Sequence, residues 1–132
     1  MGAVKYLLDT HTLLWAVRDE MKLGKKALAI IENIDNPLFV SAASAYEIMY
    51  KHQLGKLPEY EYFADNFFDI INRLNAEELP LSMSHTHFAG KLKWAHRDPF
   101  DRLLAAQAHV DNLTLITNDP IFKELSQISV IW

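Results

Sequence analysis

Short apolar runs alternate along this chain with longer stretches in which apolar residues recur every three or four positions. The runs Ala3 to Asp9 (AVKYLLD), Leu38 to Ser41 (LFVS), Glu78 to Leu81 (ELPL), Leu113 to Thr117 (LTLIT) and Ile128 to Trp132 (ISVIW) predict strands. Between them, Thr12 to Arg18, Lys25 to Ile34, Ser44 to Leu54, Tyr60 to Leu74, His85 to Trp94 and Pro99 to Val110 predict helices. Phe63, Phe67, Ile70, Ile71 and Leu74 form one helical face, as do Leu103, Ala106 and Val110. Strands alternating with helices predict an α/β sandwich with a parallel sheet covered on both faces. The near-continuous apolar segments YLL and LTLI suit strands buried on both sides.

No repeat, low-complexity tract or Pro/Gly/Ser linker breaks the pattern, so the 132 residues are expected to form one domain, 1–132. Half of the residues are hydrophobic and 23% charged, which argues against disorder. With no cysteine, disulfides and thiolate metal sites are excluded. No apolar run approaches the roughly 20 residues that span a bilayer, and Met1 to Asp9 is too short for a secretory leader. An intracellular, cytoplasmic protein without membrane contact is expected.

The net charge of −4 disfavours nucleic-acid binding at first sight, because phosphate contacts rely on Lys and Arg. Four acids alter that judgement: Asp9, Glu47, Asp101 and Asp119. Without them, 13 acidic residues face 13 basic ones. Each acid also has a local structural reading. Asp9 can cap the helix after it, Ser44 to Glu47 reads as a capping box, Asp98-Pro99 and Asp119-Pro120 read as helix starts, and Asp101 lies in a first turn. Yet Asp9 ends the first strand, Asp119 closely follows LTLIT, and Glu47 lies one turn into the helix after LFVS. In a parallel sheet those positions share the C-terminal edge, where ligands bind. Crowded carboxylates raise one another's pKa unless a cation intervenes, and oxygen-only ligands suit Mg²⁺ or Mn²⁺. Such ions can hold a phosphodiester and activate water. A nuclease, a phosphatase and a phosphorylated signalling domain all remain open on spacing alone, although Asn118-Asp119 stands where a signalling domain would place a Lys.

The stretches Tyr6 to Trp15 (YLLDTHTLLW), Val40 to Leu57 (VSAASAYEIMYKHQLGKL), His96 to Ala108 (HRDPFDRLLAAQA) and Leu113 to Pro120 (LTLITNDP) resemble the PIN-domain family. Within it they are most similar to the VapC-type toxin ribonucleases of bacterial type II toxin–antitoxin systems. The resemblance implies a single PIN-like domain over 1–132, a three-layer sandwich with a central, mostly parallel sheet flanked by helices. It implies a metal-dependent endoribonuclease that hydrolyses RNA with Mg²⁺ or Mn²⁺ held by Asp9, Glu47, Asp101 and Asp119. Thr117 matches a hydroxyl that supports water or phosphate at the metal. A small cognate antitoxin and a homodimer are the implied partners. Action on another nucleic acid, or binding of RNA or protein without cleavage, is the alternative.

Asp98 and Arg102 are supporting candidates, Asp98 chiefly as a helix cap and Arg102 as an ion-pair partner of Asp98 or a phosphate ligand. His11 stands where many relatives carry Ser or Asn. His85 and His87 are expected at the surface or in caps, and His96 and Arg97 at a loop or cleft rim. Lys51 and Lys56 are candidate phosphate or antitoxin contacts. The aromatic stretch Tyr60, Tyr62, Phe63, Phe67 and Phe68 exceeds what one helical face needs, so either core packing or an antitoxin surface accounts for it.

Overall fold

The computed structural model describes residues 3–56 and 58–132. Five strands, β1 (Tyr6–Leu8), β2 (Leu38–Ser41), β3 (Ala76–Leu79), β4 (Thr114–Ile116) and β5 (Ser129–Ile131), form one sheet in the order β3-β2-β1-β4-β5. Every pairing is parallel, so the sheet is wholly rather than mostly parallel. The helices are α1 (Thr10–Arg18), α2 (Lys25–Glu32), α3 (Ala42–Gln53), α4 (Pro58–Arg73), α5 (Met83–Lys91) and α6 (Pro99–Val110).

The three layers follow from the alternation of side chains along each strand. Leu8 lies in register with Val40 and Ile116, and these three face Leu13, Leu14, Ala27, Ile48, Phe63 and Ile70. Leu7 pairs with Leu115, and both face the opposite core with Leu92, Leu104, Ala105, Ala108 and Phe122. The inner strands are therefore apolar on both faces, and each fully buried Leu or Ile contributes about 1.5–3 kcal/mol.

Several boundaries differ from expectation for local reasons. The third strand is Ala76–Leu79 rather than 78–81, because Pro80 has no N–H with which to continue a ladder. α3 starts at Ala42 rather than Ser44, since Ser41 ends β2 and caps the helix in one residue, its Oγ accepting from the Ala43 N–H at 2.9 Å. The capping box at Ser44 and Glu47 is thereby overturned. α4 is bent at Asn66 (φ −130°, ψ 19°), whose side-chain amide donates to the Tyr62 carbonyl at 3.0 Å. Asn75 and Asn112, at φ 55° and 53°, take the left-handed conformation that ends α4 and α6 and feeds β3 and β4.

The chain fills the sheet from β1 through β2 to β3, then crosses back to place β4 on the other flank of β1. In a parallel sheet such a reversal point, here beyond the C-terminal ends of β1 and β4, is where ligands bind. Asp9 leaves one of those ends and Thr117 the other.

Candidate active site

Asp9 sits at the N-cap position of α1, but its side chain makes no cap hydrogen bond. Its Oδ2 instead accepts from the Thr117 hydroxyl at 2.7 Å, across the junction of β1 and β4. The same hydroxyl oxygen accepts the Asp119 N–H at 3.1 Å, so Thr117 fixes both the Asp9 carboxylate and the backbone of Asp119. Two more buried hydroxyls brace the start of α1: Thr12 donates to the Ile116 carbonyl at 2.7 Å, and Thr10 bonds the Ser44 hydroxyl at 2.9 Å. Ser44 is thus a strut between α1 and α3.

Glu47 is buried in α3 and forms an ion pair with Lys51 one turn later. Burial by itself would lower the pKa of the Lys51 ammonium; the bond and charge of Glu47 outweigh it and raise the pKa above its ordinary value. Lys51 is therefore engaged with Glu47 rather than free for phosphate. The four-residue spacing was visible in the sequence and is the signal that would have identified the pair.

Asp98 caps α6, its Oδ1 accepting from Phe100 and Asp101 N–H groups at 2.9 and 3.1 Å. Asp101 is released from that duty, and its Oδ2 bonds His96 Nε2 at 2.7 Å. Burial pushes the Asp101 carboxyl up to about 6; the His96 bond opposes this, and the charges of Asp98 and Asp9 add to it. Burial likewise holds the Asp9 carboxyl above its usual range, against the Thr117 bond and His11, with Glu47 pushing further upward. Asp9, Glu47, Asp98 and Asp101 thus share one electrostatic neighbourhood.

Two candidates are placed otherwise. Arg102 turns from the acids and donates to the carbonyls of Ala89, Leu92, Trp94 and His96 at 2.5–3.2 Å. It neither pairs with Asp98 nor offers a free fork to phosphate; it clamps the α5–α6 loop that carries His96. The Asp119 carboxylate is exposed and caps the 3₁₀ turn Pro120–Glu124 by accepting from Ile121 N–H at 3.0 Å. Among the described residues, no three His or acidic side chains converge closely enough to hold an ion. The donor chemistry still fits a hard divalent cation, because the group is all carboxylate and two members are held above their usual pKa with no Lys or Arg ion pair of their own.

The remaining expectations divide. His85 is a cap residue, as expected, but buried: its Nδ1 accepts the Ser82 N–H and its Nε2 meets Asp111 at 2.9 Å. His87 is exposed. Sequence reasoning missed Gln107, fully buried in α6. Its side-chain oxygen accepts from Ser41 at 2.5 Å, and its amide reaches the carbonyls of Leu79 and Pro80. No local signal distinguishes it from a surface Gln, since its partners come from the ends of β2 and β3.

A model of the PIN domain family matches residues 6–128. A stretch of 61 residues, 46% of this chain, is 41% identical to ribonuclease VapC16 of Mycobacterium tuberculosis; the match covers 42% of that relative, less than half its length. The fold resembles the crystal structure of VapBC2 from Rickettsia felis bound to a promoter DNA fragment, with a TM-score of 0.73 and 21% identity over 97% of this chain and 98% of that one. DNA-bound VapBC from Salmonella typhimurium is similar at a TM-score of 0.73 and 19% identity, over 98% of both chains.

Proposed function

The chain belongs to the PIN-domain family, and from that premise we propose that it is a metal-dependent endoribonuclease acting as the toxin of a toxin–antitoxin pair. The observation that carries this reading is the buried Asp9 carboxylate, fixed by Thr117 at the sheet's reversal point and sharing its surroundings with Glu47 and Asp101. The ribonuclease name of the curated relative supports RNA as the substrate. Asp9, Glu47 and Asp101, joined by Asp119 once its side chain turns from its cap on the 3₁₀ turn, would hold Mg²⁺ or Mn²⁺, which when bound supplies Lewis-acid polarisation of the phosphodiester and lowers the pKa of a bound water. The chain's own part is positional. Thr117 sets the Asp9 rotamer and the Asp119 backbone, His96 orients Asp101, and Arg102 holds the loop that delivers His96.

The partner surfaces belong to the same proposal. Beside β2, a groove of about 330 Å³ is lined by Val40, Ala45, Phe67, Phe68 and Ile71 among others, and Phe68 is 77% exposed. We assign it to an apolar face of a small antitoxin. Of the aromatic stretch in α4, Tyr60 and Phe63 are core, Tyr62 and Phe67 pack against the core, and Phe68 faces outward. A second patch, Tyr46 and Tyr50 beside Phe100 with ring centroids 5.9–6.4 Å apart, is our surface for homodimer contact. No helix among the described residues is long and apolar enough to cross a membrane, in keeping with a cytoplasmic site of action.

The test is RNA cleavage by the purified protein. Mg²⁺ or Mn²⁺ should support it, EDTA should stop it, and Asp9→Asn should lower the rate by orders of magnitude without unfolding the protein. Full cleavage by the metal-free protein would refute the mechanism, and RNA binding with no cleavage would favour a non-catalytic module.

A further inference from the structure

The C-terminal edge of the sheet continues past the acids. Beyond Thr117 a cavity of about 350 Å³ opens between the start of α2, the 3₁₀ turn Pro120–Glu124 and the end of β5, lined by Lys26, Thr117, Asn118, Lys123, Ile131 and Trp132 among others. Thr117 is the shared wall, with its hydroxyl on Asp9 and its residue bordering the cavity. Lys26, from α2, and Lys123, from the 3₁₀ turn, both line this space and are exposed. Among the described residues neither forms an ion pair, whereas Lys22, Lys51 and Arg73 do. In a chain of net charge −4, two unneutralised ammonium groups at one cavity form a local attraction for an anion.

The wall beside them is aromatic. Trp132 meets Trp15 edge-on with centroids 5.8 Å apart, and Trp15 lies 5.7 Å from His11, the neighbour that acts on the Asp9 charge. The seat of Trp132 depends on Gly24, where a Cβ would fall 2.6 Å from the Trp132 Cδ1. A basic groove with an aromatic wall, opening beside a nuclease-like acid group, is the combination that tracks a single strand.

We infer that this cavity is a backbone subsite for single-stranded RNA, in which Lys26 and Lys123 bind the phosphate adjacent to the scissile one and Trp132 walls its nucleoside. The inference rests on the ribonuclease reading and assigns the path of the strand, toward β5 rather than toward β3. Steady-state cleavage of a fluorescent single-stranded oligoribonucleotide across a salt series tests it. Lys26→Ala combined with Lys123→Ala should raise KM roughly tenfold with a much smaller change in kcat. It should also flatten the salt dependence of log kcat/KM by about 0.7 for each lysine removed. The corresponding double Arg variant should restore both. Lys5→Ala, which removes one charge before β1 at the opposite sheet edge, should change neither. A wild type that cleaves RNA while the double Ala variant keeps its KM and salt slope would overturn this subsite alone. A wild type that does not cleave RNA would overturn the ribonuclease reading and the subsite with it.

Discussion

The Thr117 hydroxyl donates to Oδ2 of Asp9 at 2.7 Å, joining residues 108 positions apart across the boundary between β1 and β4. Asp9 is 6% exposed and Thr117 4%, so water cannot replace that donor without rearrangement.

Thr117→Val, which keeps the shape and removes the hydroxyl, should therefore strand a buried carboxylate. We expect a loss of about 1–3 kcal/mol in the metal-free protein at neutral pH, together with a large fall in RNA cleavage. Thr117→Ser should retain most of both. Denaturant unfolding and a cleavage assay read the two effects, and a Val variant equal to wild type would remove Thr117 from the site.

The Asp101 carboxyl, pushed up to about 6 from an ordinary 3.8, implies a direction for pH dependence. A carboxyl that ionises less readily in the folded state than in the unfolded one lowers stability as pH rises from about 4 to about 6, with the penalty constant above that. Asp101→Asn, which can still bond His96, should remove the decline and stabilise the metal-free protein at pH 7 by on the order of 1–3 kcal/mol. Because Asp98 is the cap of α6, Asp101→Ala should not carry the cost of a lost cap. Mg²⁺ should raise the wild-type Tm, and that rise should shrink in either variant. A less stable Ala variant with an undiminished response to Mg²⁺ would mean that Asp101 is structural.

Phe68 offers a test of the proposed antitoxin surface that Phe67 does not. Phe67 packs against the core, so a charge there would unfold the protein locally, whereas Phe68 is exposed. Phe68→Glu should leave the Tm nearly unchanged and weaken binding of the proposed small antitoxin. Affinity by titration, read beside growth rescue on co-expression, decides it. Unchanged affinity would move the contact elsewhere, with the exposed Lys56 end of α3 the next surface to test.

The chain's own pattern determined the order and kind of its main strands and helices, and the positions of Asp9 and Asp119 just beyond β1 and β4. Those properties are local: two-fold and 3.6-fold alternation and Asp98-Pro99 starting a helix can be read from neighbours in sequence, whereas the end of β3 at Leu79, before Pro80, is placed two residues late by the pattern. Other properties required the tertiary structure. Whether Asp9 capped a helix or joined a site depended on β4 lying beside β1, which brings Thr117 to its carboxylate. Whether Ser41 or Ser44 started α3 depended on β2 running directly into the helix and on Thr10 claiming Ser44. Arg102 and Gln107 look like ordinary helix-surface residues in sequence, yet both are held by carbonyls from other elements. The physical reason is that a hydrogen bond between distant segments depends on loop closure and sheet order. Neither leaves a periodic trace around the residue that makes the bond.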